Sequence, residues 1–263
     1  MSQKVIARVL SNHEVAPETF KMFLDAPSVV EKAEPGQFVH IRVSSGTSLD
    51  PFLRRPLSIF SLDLDEGRLG LLFRVVGKGT SILADMKDGD HLDIIGPLGR
   101  GFEIREDSKK IAIIGGGIGV APLLELAHRA TKKGIEVHTL IGARTGSMIL
   151  CPDEFRTYST TLAIATDDGS VGKKALVTDI LSGLLEREKV DELFACGPVS
   201  MLKTVAKLAR TSDLPCQVSL EARMACGVGA CLGCTIKTQR DGKYLKVCTD
   251  GPVFKGEEVD WDE

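Results

Sequence analysis

Four cysteines are the residues of this sequence whose type and spacing point most directly to chemistry. They follow the pattern C-x4-C-x2-C-x13-C, and the first three lie in the segment ACGVGACLGC at 225–234: Cys226, Cys231, Cys234 and Cys248. Glycines, which tolerate positive φ and close backbone approach, alternate with them: Gly227, Gly229 and Gly233. A loop of this composition can wrap a metal centre and point backbone N–H groups at sulfur ligands.

The spacing of the cysteines favours one kind of centre over two others. Its first two intervals, followed by a distant fourth cysteine, match the plant-type 2Fe-2S ferredoxin pattern. Cys231 and Cys234 alone would fit half of a zinc site or a thiol–disulfide pair, but Cys226 fits neither arrangement well. The pattern therefore predicts a 2Fe-2S cluster and one-electron transfer, with a four-cysteine zinc site or metal-free cysteines as the alternatives.

The N-terminal sequence, the composition and the cysteine count indicate the cellular compartment and the redox state of these cysteines. The N-terminal MSQKVIARVLSNHEV lacks an apolar signal core, no run of 18 apolar residues occurs, and the count of seven cysteines is odd. These features predict a cytoplasmic protein without disulfides, in which Cys151 and Cys216 are small buried hydrophobes. The net charge of −3 gives no reason to expect a nucleic-acid partner, and no membrane partner is expected.

The residue patterns predict two domains and a small appendage. Residues 1–103 show short alternating strands such as QFVHIRV and no convincing helix, which indicates an antiparallel β-barrel. Residues 104–215 alternate strands with helices, among them VAPLLELAHRATKKG, and this predicts a doubly wound parallel sheet. Residues 216–263 contain five of the seven cysteines and are too few to bury a core without a staple.

Two turns in the second domain are typical of nucleotide binding. The turn GGGIGVAP (115–122) follows a strand and opens a helix, so its glycines form an anion site suited to a pyrophosphate: Gly115, Gly116, Gly117 and Gly119. Val120 occupies the last position of the G-x-G-x-x-G/A pattern, and tight packing is the alternative role of the turn. A second turn, Cys196-Gly197-Pro198, ends a strand at the carboxyl edge of the sheet, where such folds bind ligands.

The order of these motifs with three others resembles the ferredoxin reductase superfamily, which joins a flavin-binding barrel to a pyridine-nucleotide domain. The others are Arg54-Arg55-Pro56-Leu57-Ser58, Leu72-Phe73-Arg74 and Gly77-Lys78-Gly79-Thr80, with GPLG (96–99) after them. The resemblance implies FAD binding by Arg55 and Ser58, and extends to Pro56, Leu57, Leu72, Phe73, Arg74, Gly79 and Thr80. Arginine suits a diphosphate because its planar fork pairs with phosphate oxygens. Leu57 stands where the family often has an aromatic residue, and a solvated basic pair is the alternative for Arg54 and Arg55.

The segment SLEARMACGVGACLGC (219–234), together with ATDDGS (165–170), resembles the iron-sulfur electron-transfer subunits of NAD-type dihydroorotate dehydrogenase B. This resemblance implies a chain with no catalytic residues for dihydroorotate, which a separate FMN-containing catalytic subunit oxidises. Electrons then pass from FMN through the 2Fe-2S cluster and FAD to NAD+ in pyrimidine biosynthesis, within a heterotetramer of two copies of each subunit.

Two alternatives to this function stay open on the sequence. One is a subunit of an NAD(P)H-linked sulfide dehydrogenase, hydrogenase or ferredoxin:NADP reductase, which share the flavin and nucleotide modules. The other is a zinc-stabilised binding module without redox chemistry. NAD is expected from the resemblance alone, because Arg144 could approach a 2′-phosphate or be a plain surface residue.

Overall fold

The computed structural model describes residues 2–44, 50–239 and 242–262. Its N-terminal part is a closed antiparallel barrel with strand order β1-β2-β5-β4-β3-β6. The six strands are β1 (Gln3–Ala16), β2 (Thr19–Asp25), β3 (Phe38–Arg42), β4 (Arg55–Asp63), β5 (Arg68–Arg74) and β6 (His91–Leu98). The predicted barrel is confirmed. Two short helices, α1 (Pro27–Val30) and α2 (Lys78–Ala84), lie in its connections, where the sequence had indicated none because such short helices show no periodicity.

Strand β4 divides its pairing between two neighbours. Its first half, from Arg55 to Ser58, pairs with β3, whereas its register with β5 begins at the pair Ile59 and Leu71. The barrel wall therefore opens between the first half of β4 and the end of β5. The backbone of Arg55–Ser58 and the backbone at the end of β5 therefore share no ladder.

Strand β3 departs from the simple alternation that predicts it. Val39 and Ile41 enter the barrel core as expected, but His40 on the opposite face is also fully buried. The reason is tertiary, because the cysteine loop covers this outer face. A Cβ atom built on Gly227 would lie 2.4 Å from the Nδ1 of His40.

The second part of the chain is the predicted α/β sheet. Its strands are β7 (Lys110–Gly116), β8 (Glu136–Ala143), β9 (Thr161–Thr166), β10 (Lys173–Lys174), β11 (Glu192–Cys196) and β12 (Cys216–Ser219). They are parallel in the order β10-β9-β8-β7-β11-β12. The helices are α3 (Leu124–Lys132), α4 (Pro152–Thr157), α5 (Val177–Arg187) and α6 (Val199–Thr211). None of the helices in the described ranges has the length and apolar character of a membrane span.

The helix after the glycine turn begins later than predicted. A 3-10 turn runs from Gly117 to Leu123, and the α-helix starts only at Leu124. Pro122 lies inside the 3-10 turn and has no N–H to give to an α-helical ladder. The glycine turn is therefore followed by a 3-10 segment and does not lead directly into a long α-helix.

The C-terminal segment is held by its neighbours. Strands β13 (Thr235–Lys237) and β14 (Tyr244–Lys246) form a hairpin, and β15 (Val253–Lys255) pairs antiparallel with β12, so that the sheet of the second part continues past residue 215. Cys234 and Cys248 share one hydrophobic cluster with Phe38 of β3 and Val218 of β12. The C-terminal segment was expected to need extra stabilisation because it is short. Part of this stabilisation comes from the hydrophobic core that the segment shares with the barrel and the sheet.

The barrel and the sheet also share a core. Phe60 and Leu72 of the barrel pack in one cluster with Val120 and Ala121 of the 3-10 turn. Glu125 of α3 is 4% exposed and accepts a hydrogen bond from the backbone N–H of Leu62 at 3.1 Å. Because buried polar contacts of this kind are costly to break, they fix the position of the glycine turn on the barrel.

Candidate functional site

The four cysteines of the C-x4-C-x2-C-x13-C pattern form two pairs. All seven cysteines of the chain are free. In the first pair the backbone N–H of Cys231 donates to the Sγ of Cys226 at 3.4 Å, and in the second the N–H of Cys248 donates to the Sγ of Cys234 at 3.4 Å. Among the described residues, no group of three or more His, Cys, Asp or Glu side chains is arranged to hold a metal ion. Two thiol pairs are what a two-iron centre needs, with two ligands for each iron.

Backbone N–H groups surround the first pair. Val228 donates to the Sγ of Cys226 at 3.5 Å and Gly233 donates to the Sγ of Cys231 at 3.4 Å. The donor from Val228, followed by that from Cys231, lowers the pKa of Cys226 to about 6. Iron binds the thiolate form, so these donors favour the ionisation state that a cluster ligand requires.

The second pair differs because it is buried. Burial, and then the neighbouring Cys234 thiol, raise the pKa of Cys248 to about 11. The Cys248 thiol therefore resists ionisation unless a positive centre lies beside it. Buried thiolate ligands beside a partly exposed pair are a donor set of the soft type that iron-sulfur clusters use.

The glycines of the loop serve backbone geometry as predicted at two of three positions. Gly227 and Gly229 have φ of +69° and +82°, in the left-handed region that side chains disfavour. Gly233 is not among the positive-φ residues. Its N–H instead donates to the Sγ of Cys231, and the third positive φ, +59°, belongs to Leu232, whose side chain is exposed.

The predicted flavin residues lie along the opening between β4 and β5. Arg55, Pro56, Leu57 and Ser58 form the first half of β4 and are all half-buried. Across the opening, Leu72 and Phe73 point into the two cores and are each 2% exposed, so their main-chain groups are what a cofactor can reach. Arg74 is partly exposed and lies 3.7 Å from the carboxylate of Glu18.

Arg55 is seated against the N-terminal turn of α2. A Cβ atom on Gly79 would lie 2.4 Å from the Nε and 2.8 Å from the Cζ of Arg55, so only glycine permits this contact. The hydroxyl of Thr80 accepts from the backbone N–H of Val76 at 2.9 Å and of Gly77 at 3.2 Å. Thr80 therefore closes the start of α2 through its side chain, and its predicted contact with a cofactor stays a prediction.

Arg54 has a different role from Arg55. Its guanidinium binds the carboxylate of Asp93 at 2.8 Å and the backbone oxygens of Asp93 and His40 at 2.8 and 3.2 Å. Arg54 therefore ties β3 to β6 and is not part of a solvated basic pair. Sequence reasoning missed this because nothing local distinguishes the two adjacent arginines.

Three of the four glycines of the nucleotide turn are required by packing, two of them against the second turn. A Cβ atom on Gly119 would lie 2.5 Å from the carbonyl oxygen of Cys196, and one on Gly116 would lie 2.8 Å from the Cδ of Pro198. Gly115 packs on Val120 in the same way. The tight-packing role considered for the turn thus accounts for three of its glycines.

Gly117 is the exception. It has φ of +55°, and nothing lies within 4 Å of the Cβ that another residue would place there. Positive φ and open space together leave its backbone accessible to a ligand. In this turn, therefore, three glycines are packed against other residues and the backbone of Gly117 is accessible.

Cys196 is a buried, neutral thiol beside these glycines. Its position in β11 is paired with Gly115 of β7 and Ser219 of β12. Burial, and then the nearby Glu221 carboxylate, raise its pKa to about 12. A thiol in this state is a poor nucleophile, so Cys196 shapes the site through its size and position.

His40 is the functional candidate that sequence reasoning did not single out. It is buried, and neither of its ring nitrogens has a hydrogen-bond partner among the described residues. Burial and then the Arg54 guanidinium lower its pKa, so the ring is neutral at neutral pH. The sequence signal was weak, because a histidine on the polar face of a strand is ordinarily exposed.

Three family models match the chain in succession. Residues 5–102 match the oxidoreductase FAD-binding domain, residues 113–207 match the oxidoreductase NAD-binding domain, and residues 221–260 match the iron-sulfur cluster binding domain of dihydroorotate dehydrogenase B. The predicted cofactor set of FAD, NAD and an iron-sulfur cluster is confirmed by these matches.

Curated relatives match over the whole chain. The electron transfer subunit of dihydroorotate dehydrogenase B (NAD(+)) from Desulforamulus reducens is 43% identical and covers 100% of both chains. The subunit of the same name from Bacillus velezensis is 41% identical over 98% of this chain and 99% of its own.

Solved structures agree with the fold. The structure of an NADH-dependent reduced ferredoxin-NADP oxidoreductase superposes with a TM-score of 0.87 at 36% identity, covering 98% of this chain and 91% of the other. The ferredoxin reductase of carbazole 1,9a-dioxygenase superposes with a TM-score of 0.68 at 20% identity, over 81% and 67% of the two chains, which supports the fold alone.

Proposed function

The chain belongs to the family of electron transfer subunits of dihydroorotate dehydrogenase B (NAD(+)), and we propose that it carries electrons from the FMN of a catalytic partner subunit to NAD+. A flavin can exchange either one or two electrons, so bound FAD links the one-electron chemistry of a 2Fe-2S cluster to hydride exchange with a nicotinamide. The chain itself supplies binding sites, their spacing and the exclusion of water.

The observation that carries the proposal is the order of the three candidate sites along the barrel wall. The cysteine loop contacts His40 of β3. Next to β3 lies the first half of β4, with Arg55 and Ser58. Beyond the opening, the 3-10 turn at 117–123 packs against both β4 and β5. The two outer sites thus flank the flavin strand, as a relay of cluster, flavin and nicotinamide requires.

In the proposed relay each set of residues has a separate task. Arg55 would pair with the FAD diphosphate, while Leu57, Ser58 and the main chain of β5 would hold the rest of the flavin. Gly117 and the turn at Cys196–Pro198 would hold the nucleotide. The four cysteines of the C-terminal segment hold the cluster, and their N–H donors stabilise negative charge on sulfur.

The partner-facing surface in this proposal is the exterior of the cysteine loop. Val228 and Leu232, two apolar side chains of the loop, are 51% and 61% exposed. Exposed apolar residues next to a redox centre suit a docking surface, because they exclude water where electrons cross between chains. We propose that the catalytic subunit covers them in a cytoplasmic heterotetramer of two copies of each chain.

The test is to purify the chain with and without its catalytic partner. The expected protein contains FAD and about two irons and two sulfides per chain. NADH should reduce its flavin in the absence of the partner, and dihydroorotate should reduce NAD+ only in the partner's presence. One equivalent of zinc without iron or sulfide would support the binding-module alternative. NADH-linked reduction of ferredoxin or polysulfide without any dihydroorotate activity would support the other reductases.

A further inference from the structure

His40 is a buried imidazole at the point where the barrel meets the cysteine loop. It is fully buried, and neither Nδ1 nor Nε2 has a hydrogen-bond partner among the described residues. Buried polar side-chain atoms are nearly always paired, so an unpaired ring at this position calls for a physical explanation. Hydrophobic packing alone would be served better by an aliphatic residue.

The ring lies between two elements with separate tasks in the proposed relay. On the barrel side, His40 is in register with Pro56, the residue after Arg55 on the flavin strand. On the other side it faces Gly227, where an added Cβ would lie 2.4 Å from Nδ1, 2.9 Å from Cε1 and 3.1 Å from Cγ. Main-chain acceptor groups of Arg54 and Cys226 also lie near the ring, without hydrogen bonds of good geometry.

The contact with Gly227 is close enough to determine where the loop lies. Gly227 has a left-handed φ and follows Cys226 directly, so its turn sets the direction in which that cysteine leaves the barrel surface. The His40 main chain is fixed in turn by Arg54, which donates to its carbonyl oxygen at 3.2 Å and is anchored on Asp93. A rigid strand therefore presents a flat ring to the turn that carries the first cysteine.

We propose that His40 is a positioning residue that seats the Gly227 turn on the flavin barrel and thereby fixes the distance between the cysteine loop and the flavin strand. This inference rests on the proposed function. Replacing a side chain that orients metal ligands without contacting the metal itself typically costs about 10–100-fold in metal affinity or activity. The effect should fall on the step between flavin and cluster and leave the step between nicotinamide and flavin unchanged.

The experiment compares His40→Leu and His40→Gln in the full chain with a matched control, His138→Leu. His138 is also a buried histidine, 3% exposed, but it lies in β8 and bonds Thr161 at 2.7 Å, away from the loop. For each protein, stopped-flow absorbance follows flavin reduction by NADH and then cluster reduction, while electron paramagnetic resonance records the reduced cluster. Hydrogen exchange of residues 225–234 reports on the loop independently of activity.

In His40→Leu we expect flavin reduction at the wild-type rate, cluster reduction slowed about 10–100-fold, a changed resonance spectrum and faster exchange in the loop. His40→Gln, whose planar amide occupies part of the space of the flat ring, should recover part of the loss, and His138→Leu should show none of it. Wild-type behaviour of His40→Leu in all readouts would overturn the proposal. An equal loss of FAD, cluster and thermal stability would also overturn it, because that pattern indicates general destabilisation. If His40→Leu does not fold, the same measurements on His40→Gln test the proposal. A wild-type chain without iron would refute the proposed function, while loop exchange would still test His40.

Discussion

Replacing Gly119 with alanine tests the geometry of the nucleotide turn most sharply. The added methyl would lie 2.5 Å from the carbonyl oxygen of Cys196 and 2.6 Å from the Cα of Gly197. Both neighbours are backbone atoms, so neither can rotate away as a side chain could. Gly119 is not among the positive-φ residues, and the substitution therefore tests close approach alone.

The size of the effect follows from the missing space. Ordinary contact begins near 3.4 Å, so the two turns must separate by about 0.9 Å. Overpacking of this kind costs about 1–3 kcal/mol, and a misplacement near 1 Å at a reactive site can cost about 100-fold in rate. Since the separation occurs between the glycine turn and the turn at 196–198, the loss should fall on the nucleotide.

We therefore expect Gly119→Ala to lower the rate of flavin reduction at limiting NADH by about 10–100-fold. FAD and iron content should remain at wild-type levels. The assay is stopped-flow reduction over a range of NADH concentrations, with thermal unfolding measured in parallel. The matched control is Gly183→Ala in helix α5, where the new methyl meets the flexible Arg187 side chain at 3.4 Å and alanine favours the helix.

The reasoning is refuted if Gly119→Ala reduces its flavin as fast as the control at limiting NADH. It is equally refuted if the variant loses FAD before it loses nucleotide binding, because the displaced element would then be the barrel. A fall in thermal stability accompanied by normal kinetics would show that the two turns move together without disturbing the ligand.

Three further predictions concern the other sites. Cys231→Ser should abolish the visible absorbance of the cluster while NADH still reduces the flavin. The control Cys151→Ser, in a buried position away from the loop, should keep both the absorbance and the flavin reduction. An intact cluster spectrum in Cys231→Ser would remove this residue from the ligand set. Arg55→Gln should weaken FAD binding by about 10–100-fold, as expected for a lost charge-assisted contact of about 1.5–3 kcal/mol, and fluorescence titration of the apoprotein would show an unchanged affinity if Arg55 has no such role. In the cluster-free chain, iodoacetamide should modify Cys226 at pH 7, because a pKa of about 6 makes it largely thiolate there, and the modification should slow as the pH falls below 6. Cys196, with a pKa of about 12, should stay protonated and unmodified. Peptide mapping by mass spectrometry measures which of the two cysteines is modified first.

The local chemistry could be predicted from the sequence because its signals are local. The cysteine spacing, the glycine turn at 115–119 and the turn at 196–198 each lie within a few residues, and the structure pairs the cysteines and brings the two turns into contact. The barrel and the parallel sheet follow from strand length and from the alternation of strands with helices. Family models then confirm the iron-sulfur cluster and the dinucleotide that these patterns indicated, and the FAD that the resemblance to the ferredoxin reductase superfamily implied.

What could not be predicted depends on contacts between distant segments. The divided pairing of β4, which opens the barrel, is a matter of register with two other strands. The burial of His40 requires a loop almost 190 residues later in the chain to cover its strand. The different roles of Arg54 and Arg55 arise because one side chain reaches Asp93 and the other reaches Gly79. No pattern within a window of sequence contains this information.

The unequal burial of the cysteines shows how the loop can serve two neighbours at once. Cys234 and Cys248 lie in the core that the C-terminal segment shares with the barrel and the sheet, so their position is fixed by both larger parts. Cys231 is exposed, and the apolar side chain of Leu232 beside it also faces outward. A cluster held by both pairs would therefore have an inner side locked to the flavin barrel and an outer side open to another protein. Changes to the core should alter transfer within the chain, whereas changes at Leu232 should alter transfer between chains and leave the reduction of the flavin by NADH intact.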